Sequence, residues 1–249
     1  QFLARSVSRV GTAVRAAGVG FSALSAAAYW AGFRPRSQLF GSFPYEAETE
    51  EKVVALSFDD GPNEPYTSRL LDTLDAYDVK ATFFQVGRCA QRFPSATRRV
   101  IQSGHVLGNH SYSHSFTRYA NQPRQEVEII RSQEVFYSLT GVTPALYRPP
   151  WLCHWPWVMS TLRQHGLQVV SGTFAHPLEI FQPAATKLTD SAARLTRPGT
   201  ILIFHDGREA RGGPRDQSVA AIGPLIERLT DRGYRFTTVD QLLGINAYA

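Results

Sequence analysis

Seven short apolar runs recur between residues 53 and 239, separated by stretches with helical patterning. They are Val53–Phe58, Val79–Val86, His105–Asn109, Ala145–Arg148, Leu167–Gly172, Thr200–His205 and Tyr234–Val239. Strands that alternate with helices pair in parallel, because each helix returns the chain to the end where the last strand began. The predicted fold is α/β with a parallel sheet, and a barrel or an open doubly wound sheet would both satisfy the pattern. The first run is continuous in Val, Ala, Leu and Phe, as a strand buried on both faces requires. The clearest helices are predicted at Arg124–Leu139, with Val127, Ile130, Val135 and Leu139 near helical spacing, and at Ser218–Arg232, closed by Gly233. No glycine-rich phosphate loop follows the first strand, which disfavours a nucleotide site.

The chain of 249 residues is long enough for one large domain with a sizeable core. Residues 53–249 are expected to form it, and residues 1–52 an N-terminal helical segment and linker. Arg5, Arg9 and Arg15 precede Ala16–Phe33, which is uncharged and rich in Ala, Gly and Ser. That is the pattern of a membrane anchor or export segment, and equally of an Ala-rich helix lying on the domain. Residues 34–52 read as an extended linker. The net charge is +5, but the basic residues are dispersed, so nucleic acid is not an expected partner. Cys89 and Cys153 belong to no metal-binding pattern, and one disulfide or two free thiols would both fit.

Four runs end in residues that can do chemistry. Val53–Pro62 ends in the adjacent carboxylates Asp59 and Asp60, which repel unless a cation sits beside them. Asn109–His114 carries two histidines four apart, close enough to share one ion if the segment is helical. Tyr147–Trp151 is YRPPW, in which two prolines impose an extended backbone that would hold Arg148 in place. Thr200–Gly207 ends in His205 and Asp206, and histidine is suited to general acid work near neutral pH. Each also has an ordinary reading: a DG turn, a surface HSYSH turn, a Pro-rich loop, a satisfied histidine. What sets them apart is position. All four sit where a strand ends, and in parallel sheets those ends share one face.

Taken together, SFDDGP, NHSYSH, YRPPW and ILIFHDG resemble four of the five motifs of the polysaccharide deacetylase family, the NodB-homology carbohydrate esterases. ATFFQVG and the closing RGYRFTTVDQLL are also similar to that family, so the resemblance runs from about Val53 to Leu243. It implies a distorted (β/α) barrel of about seven strands and one divalent metal, usually zinc, with cobalt, nickel or manganese as substitutes. By position it implies Asp60, His110 and His114 as metal ligands, Asp59 as catalytic base, Arg148 as the residue that orients it, and His205 as general acid. It places Leu202 beside the acetyl-methyl pocket and Trp151 where a backbone N–H meets the oxyanion, with Tyr147 and Pro149 lining the substrate site.

The implied activity is removal of N-acetyl groups from N-acetylglucosamine-type residues of a cell-envelope or chitin-like polysaccharide. The implied setting is a monomer working outside the cytoplasm, secreted or membrane-anchored through residues 16–33. One motif departs from the family. The stretch Val170–Ile180, VSGTFAHPLEI, lacks the Asp that braces the acid histidine and the Trp beside it. Glu179, His176 and Asp206 are the residues that could substitute. This departure keeps two other readings open: an O-acetyl esterase or deformylase on another sugar, free or lipid-linked, using the same metal centre, and a non-catalytic glycan-binding protein. Trp151, Trp155 and Trp157 could stack on sugar rings or pack on the barrel rim.

Overall fold

Strand β1, Val53–Asp59, lies at the middle of the sheet. Its side chains alternate between two apolar surroundings. Val54, Leu56 and Phe58 pack outward against the helices, while Ala55 faces the inner cluster with Phe84 and Ile201. Burying one such large side chain contributes about 1.5–3 kcal/mol, which is why this run is apolar throughout. The computed structural model describes residues 32–249. The remaining strands are β2 (Thr82–Gln85), β3 (Val106–Asn109), β4 (Leu146–Tyr147), β5 (Gln168–Val169), β6 (Thr173–Phe174), β7 (Ile201–His205) and β8 (Arg235–Thr237). They pair in parallel in the order β5-β4-β3-β2-β1-β7-β6, and β8 pairs with the first residues of β1.

Closure of the curl decides between the two arrangements open in the sequence. The predicted fifth run, Leu167–Gly172, forms β5 only at its start, and the chain then continues through residues 170–172 into β6. β5 pairs with β4, and β6 pairs with β7. One stretch of chain thus joins both ends of the strand path, and the sheet is a distorted barrel. Gly172 permits this, since a Cβ there would press on the Ile201 carbonyl and the Ile203 side chain.

The helices cover the outside. Helix Gln122–Thr140 ends at Gly141, which takes φ 76, a conformation glycine adopts without strain. Its buried face is not the predicted one. Val127 and Ile130 are exposed, and Gln125, Glu128, Ile129, Ser132, Val135 and Phe136 are buried. Glu128 is inside because its carboxylate accepts the N–H and the hydroxyl of Ser113. Helix Asp216–Asp231 is followed by Gly233 at φ 81.

Segment 34–52, predicted as a linker, touches the barrel. Phe43 is buried and stacks on His154 at 4.1 Å, and Glu46 bridges to Thr200. Residues 16–31 of the predicted anchor lie outside the described residues. Among the described residues no helix is long and apolar enough to cross a membrane. Both cysteines are free and buried, in separate clusters, and burial raises each thiol to about 12.

Candidate active site

Pairing register brings the chemistry together. Asp59 of β1 is level with His205 of β7, and Asn109 of β3 is level with Tyr147 of β4. The loops leaving these strands enclose a cavity of about 210 Å³. Asp59, Asp60, His110, His114, Pro149, Trp151 and His205 line it. A wider groove of about 1520 Å³ beside residues 34–50 shares only Phe174 with this cavity and contains no histidine.

The adjacent carboxylates have different partners because β1 ends between them. Asp59 receives the Arg148 guanidinium, with Nη1 donating to Oδ1 at 2.7 Å. Arg148 is fully buried, and its other donors go to Ser57 Oγ at 2.8 Å, the Ser171 carbonyl at 3.0 Å and the Val170 carbonyl at 3.3 Å. Its guanidinium carbon lies 4.0 Å from the centre of the Phe84 ring. Burial pulls the Arg148 pKa down from its ordinary value, and Asp59 opposes this. Such a buried guanidinium is held in one orientation, and so is the carboxylate it holds.

Asp60 takes φ 73 and faces the histidines. Its Oδ1 lies 3.1 Å from His114 Nε2 and 3.3 Å from His110 Nε2, while Oδ2 accepts the Glu209 N–H at 2.8 Å. The histidines are not on a helix, as their spacing had suggested. Residues 110–115 form a bent loop in which Ser111 and His114 take φ 67 and φ 50. Asn109 Oδ1 accepts the Ser111 N–H, and Ser111 Oγ accepts the His114 N–H. His110 Nδ1 lies 2.6 Å from the Arg148 carbonyl, which can only accept, so Nδ1 carries the proton and Nε2 is free to ligate.

Asp60, His110 and His114 are all buried, and a ligand atom from each lies within 4.8 Å of the others. Two imidazoles and one carboxylate with room on the cavity side suit a late first-row divalent metal. Burial pushes the Asp60 carboxyl up, but the two imidazoles beside it, His114 foremost, outweigh this. The group is held well below the ordinary carboxylate range.

The residue bracing His205 is Glu179. It stands on a single 3₁₀ turn, Glu179–Phe181, after β6, and its Oε2 lies 2.6 Å from His205 Nδ1. Burial lowers the His205 pKa, but Glu179, and behind it Asp60 and Asp59, reverse this and raise it to about 9. Of the other two residues, His176 Nδ1 accepts the Leu178 N–H within its own turn. Asp206 accepts the Thr67 hydroxyl at 2.6 Å, and burial pushes its carboxyl up to about 7.

Two expected substrate residues are elsewhere. Leu202 is buried among Leu56, Phe58 and Phe204 on the helix-facing side of β7. Alternation puts Ile203, two residues before His205, on the histidine's face, and this was legible from the strand period. Tyr147 is buried in the cluster with Tyr119, Val158 and Leu162, away from the cavity. Residues not expected from the motifs also line the cavity: Leu152, Phe174, Pro177, Ile180 and Glu209. Phe174 stacks against His205 with rings 9° from parallel. The Trp151 ring stands edge-on to His114 at 4.3 Å, and its backbone takes φ 55.

Comparison with known proteins places this geometry. The family model for polysaccharide deacetylase matches residues 46–170. A peptidoglycan-N-acetylglucosamine deacetylase of Bacillus cereus is 32% identical over 204 residues, covering 82% of this chain and 93% of that protein. A crystal structure of a peptidoglycan N-acetylglucosamine deacetylase superposes with a TM-score of 0.74 at 28% identity, covering 83% of this chain and 95% of the other. A family 4 acetyl xylan esterase of Clostridium thermocellum, solved with a cobalt ion, superposes with a TM-score of 0.70 at 33% identity, covering 79% and 94%.

Proposed function

The chain belongs to the polysaccharide deacetylase family, a family of metal-dependent hydrolases, and we propose that it removes N-acetyl groups from N-acetylglucosamine-type residues of peptidoglycan. One observation carries this reading. Asp59, clamped by Arg148, and His205, braced by Glu179, flank a three-ligand metal site in a single cavity. The similar deacetylases support the choice of polymer.

Asp60, His110 and His114 would hold the metal, with zinc the ion that a two-imidazole, one-carboxylate set suits. When bound, it supplies a Lewis acid and a lowered pKa for water. Asp59 takes the proton of the attacking water, and Arg148 holds its carboxylate in one orientation for this. The Trp151 backbone N–H stabilises the tetrahedral oxyanion. His205 gives a proton from Nε2 to the departing amine, which leaves poorly without one. Pro149 and Trp151, which line the cavity, border the sugar. A wall polymer places this work outside the cytoplasm, and a monomer contains every group the reaction uses.

Acetate release from N-acetylglucosamine oligomers and from peptidoglycan, before and after zinc is added to the stripped protein, tests the proposal. Zinc-dependent release should fall about 10²–10⁴-fold in Asp59→Asn. Absence of release with zinc bound would overturn it. O-acetyl removal by the same centre is the second reading, favoured by the structural similarity to an acetyl xylan esterase. The non-catalytic reading rested on the missing brace, and Glu179 stands in that place.

A further inference from the structure

The carboxylate of Glu179 has a second oxygen, and what holds it lies outside every motif. Ser218, in the first turn of helix Asp216–Asp231, donates its hydroxyl to Glu179 Oε1. Ser218 Oγ in turn accepts from Gln182 Nε2 at 2.7 Å. Gln182 takes φ 54, and all four hydrogen-bonding positions of its amide are used. Its Nε2 also donates to the Glu179 carbonyl at 3.0 Å. Its Oε1 accepts the backbone N–H groups of Gln217 at 3.1 Å and Ser218 at 3.2 Å.

These backbone partners set the amide orientation, since only an oxygen can face two N–H donors and only a nitrogen can face a carbonyl. The orientation propagates. Ser218 has one proton, and because Gln182 donates to its oxygen, that proton must go to Glu179. Glu179 Oε1 is thereby satisfied, and Oε2 is left to accept the His205 Nδ1–H at 2.6 Å. His205 then presents Nε2 to the cavity.

We infer that Gln182 and Ser218 are positioning residues for His205, forming a one-way hydrogen-bond line from the N-terminus of helix Asp216–Asp231 to the general acid. This rests on the deacetylase reading, in which His205 protonates a departing amine. The line replaces the brace of the absent fourth-motif Asp with a longer one, made of Gln182, Ser218 and Glu179.

Gln182→Glu is the discriminating variant. A carboxylate still caps the helix N–H groups, where the helix dipole favours it. It cannot donate, so the Ser218 hydroxyl turns toward it and Glu179 loses its donor. Ser218→Ala removes the same donor, and Ser218→Thr retains it. The zinc-loaded full chain is assayed on N-acetylglucosamine oligomers and on 4-nitrophenyl acetate, whose leaving group departs without a proton. Amide kcat should fall about 10–100-fold in Gln182→Glu and Ser218→Ala, part of the 10²–10⁴ a general acid contributes. KM and turnover of the aryl ester should hold, and Ser218→Thr should restore amide turnover. In the zinc-free protein the His205 Nδ1–H proton resonance should shift in Gln182→Glu.

Equal loss on both substrates would mean a merely structural role and would overturn the inference. So would unchanged amide turnover in Gln182→Glu. A wild-type chain active on the aryl ester and inactive on every N-acetyl substrate would instead sink the deacetylase reading, and the assigned role of the line with it.

Discussion

Replacing Arg148 with Met should be among the costliest single changes in this chain. The side chain is fully buried and replaced by one of similar reach, so the change is mainly the loss of charge and donors. At a charge separation of about 4 Å and an effective dielectric of about 20, the attraction to Asp59 is about 4 kcal/mol. Breaking a buried pair by removing one partner costs about 3–5 kcal/mol, which agrees. The Val170 and Ser171 carbonyls also lose their donors, at about 1 kcal/mol each. The expected total is about 5–7 kcal/mol, measured by urea unfolding with EDTA present, so that metal binding does not mask it. Adding Asp59→Asn to Arg148→Met removes the stranded carboxylate and should recover about 1–3 kcal/mol. A loss below about 1.5 kcal/mol, or a double variant whose losses simply add, would refute the claim that this pair is coupled.

Three further outcomes follow from the same geometry. Zinc at a hundred times its Kd should stabilise the stripped protein by about 2.7 kcal/mol, a rise of about 5–10 °C in Tm, and His114→Ala should abolish the rise. In metal-free protein, the His205–Glu179 pair contributes stability fully below about pH 6.5, lost as pH rises through about 9, since His205 is raised from 6.5 to about 9. The difference between the wild-type and Glu179→Gln stability curves should shrink across that window, and a flat difference would contradict the pairing. Gly61→Ala would push a methyl into both carboxylate oxygens of Asp206, costing about 3 kcal/mol in urea unfolding. A cost under about 1 kcal/mol would show that Asp206 can move away.

The sequence by itself determined which chemistry-bearing groups meet at one end of the sheet. Asp59, Asp60, His110, His114, Arg148 and His205 each follow an apolar run, and parallel pairing sends every such end to one face, so type and order were enough to predict their meeting. It also determined the helix end at Gly233, because a left-handed residue is a local property.

Tertiary structure decided what depends on distance through space. Whether the sheet closed turned on residues 168–174 pairing with β4 at one end and β7 at the other, which no local pattern encodes. The histidines met through a bent loop instead of a helix because Asn109, Ser111 and Glu128 hold that loop from three positions. The brace on His205 came from Glu179, 26 residues earlier, and the line behind it from Ser218, 39 residues beyond Glu179. A carboxylate accepts from any donor brought to it, and its partner is therefore set by packing and not by spacing.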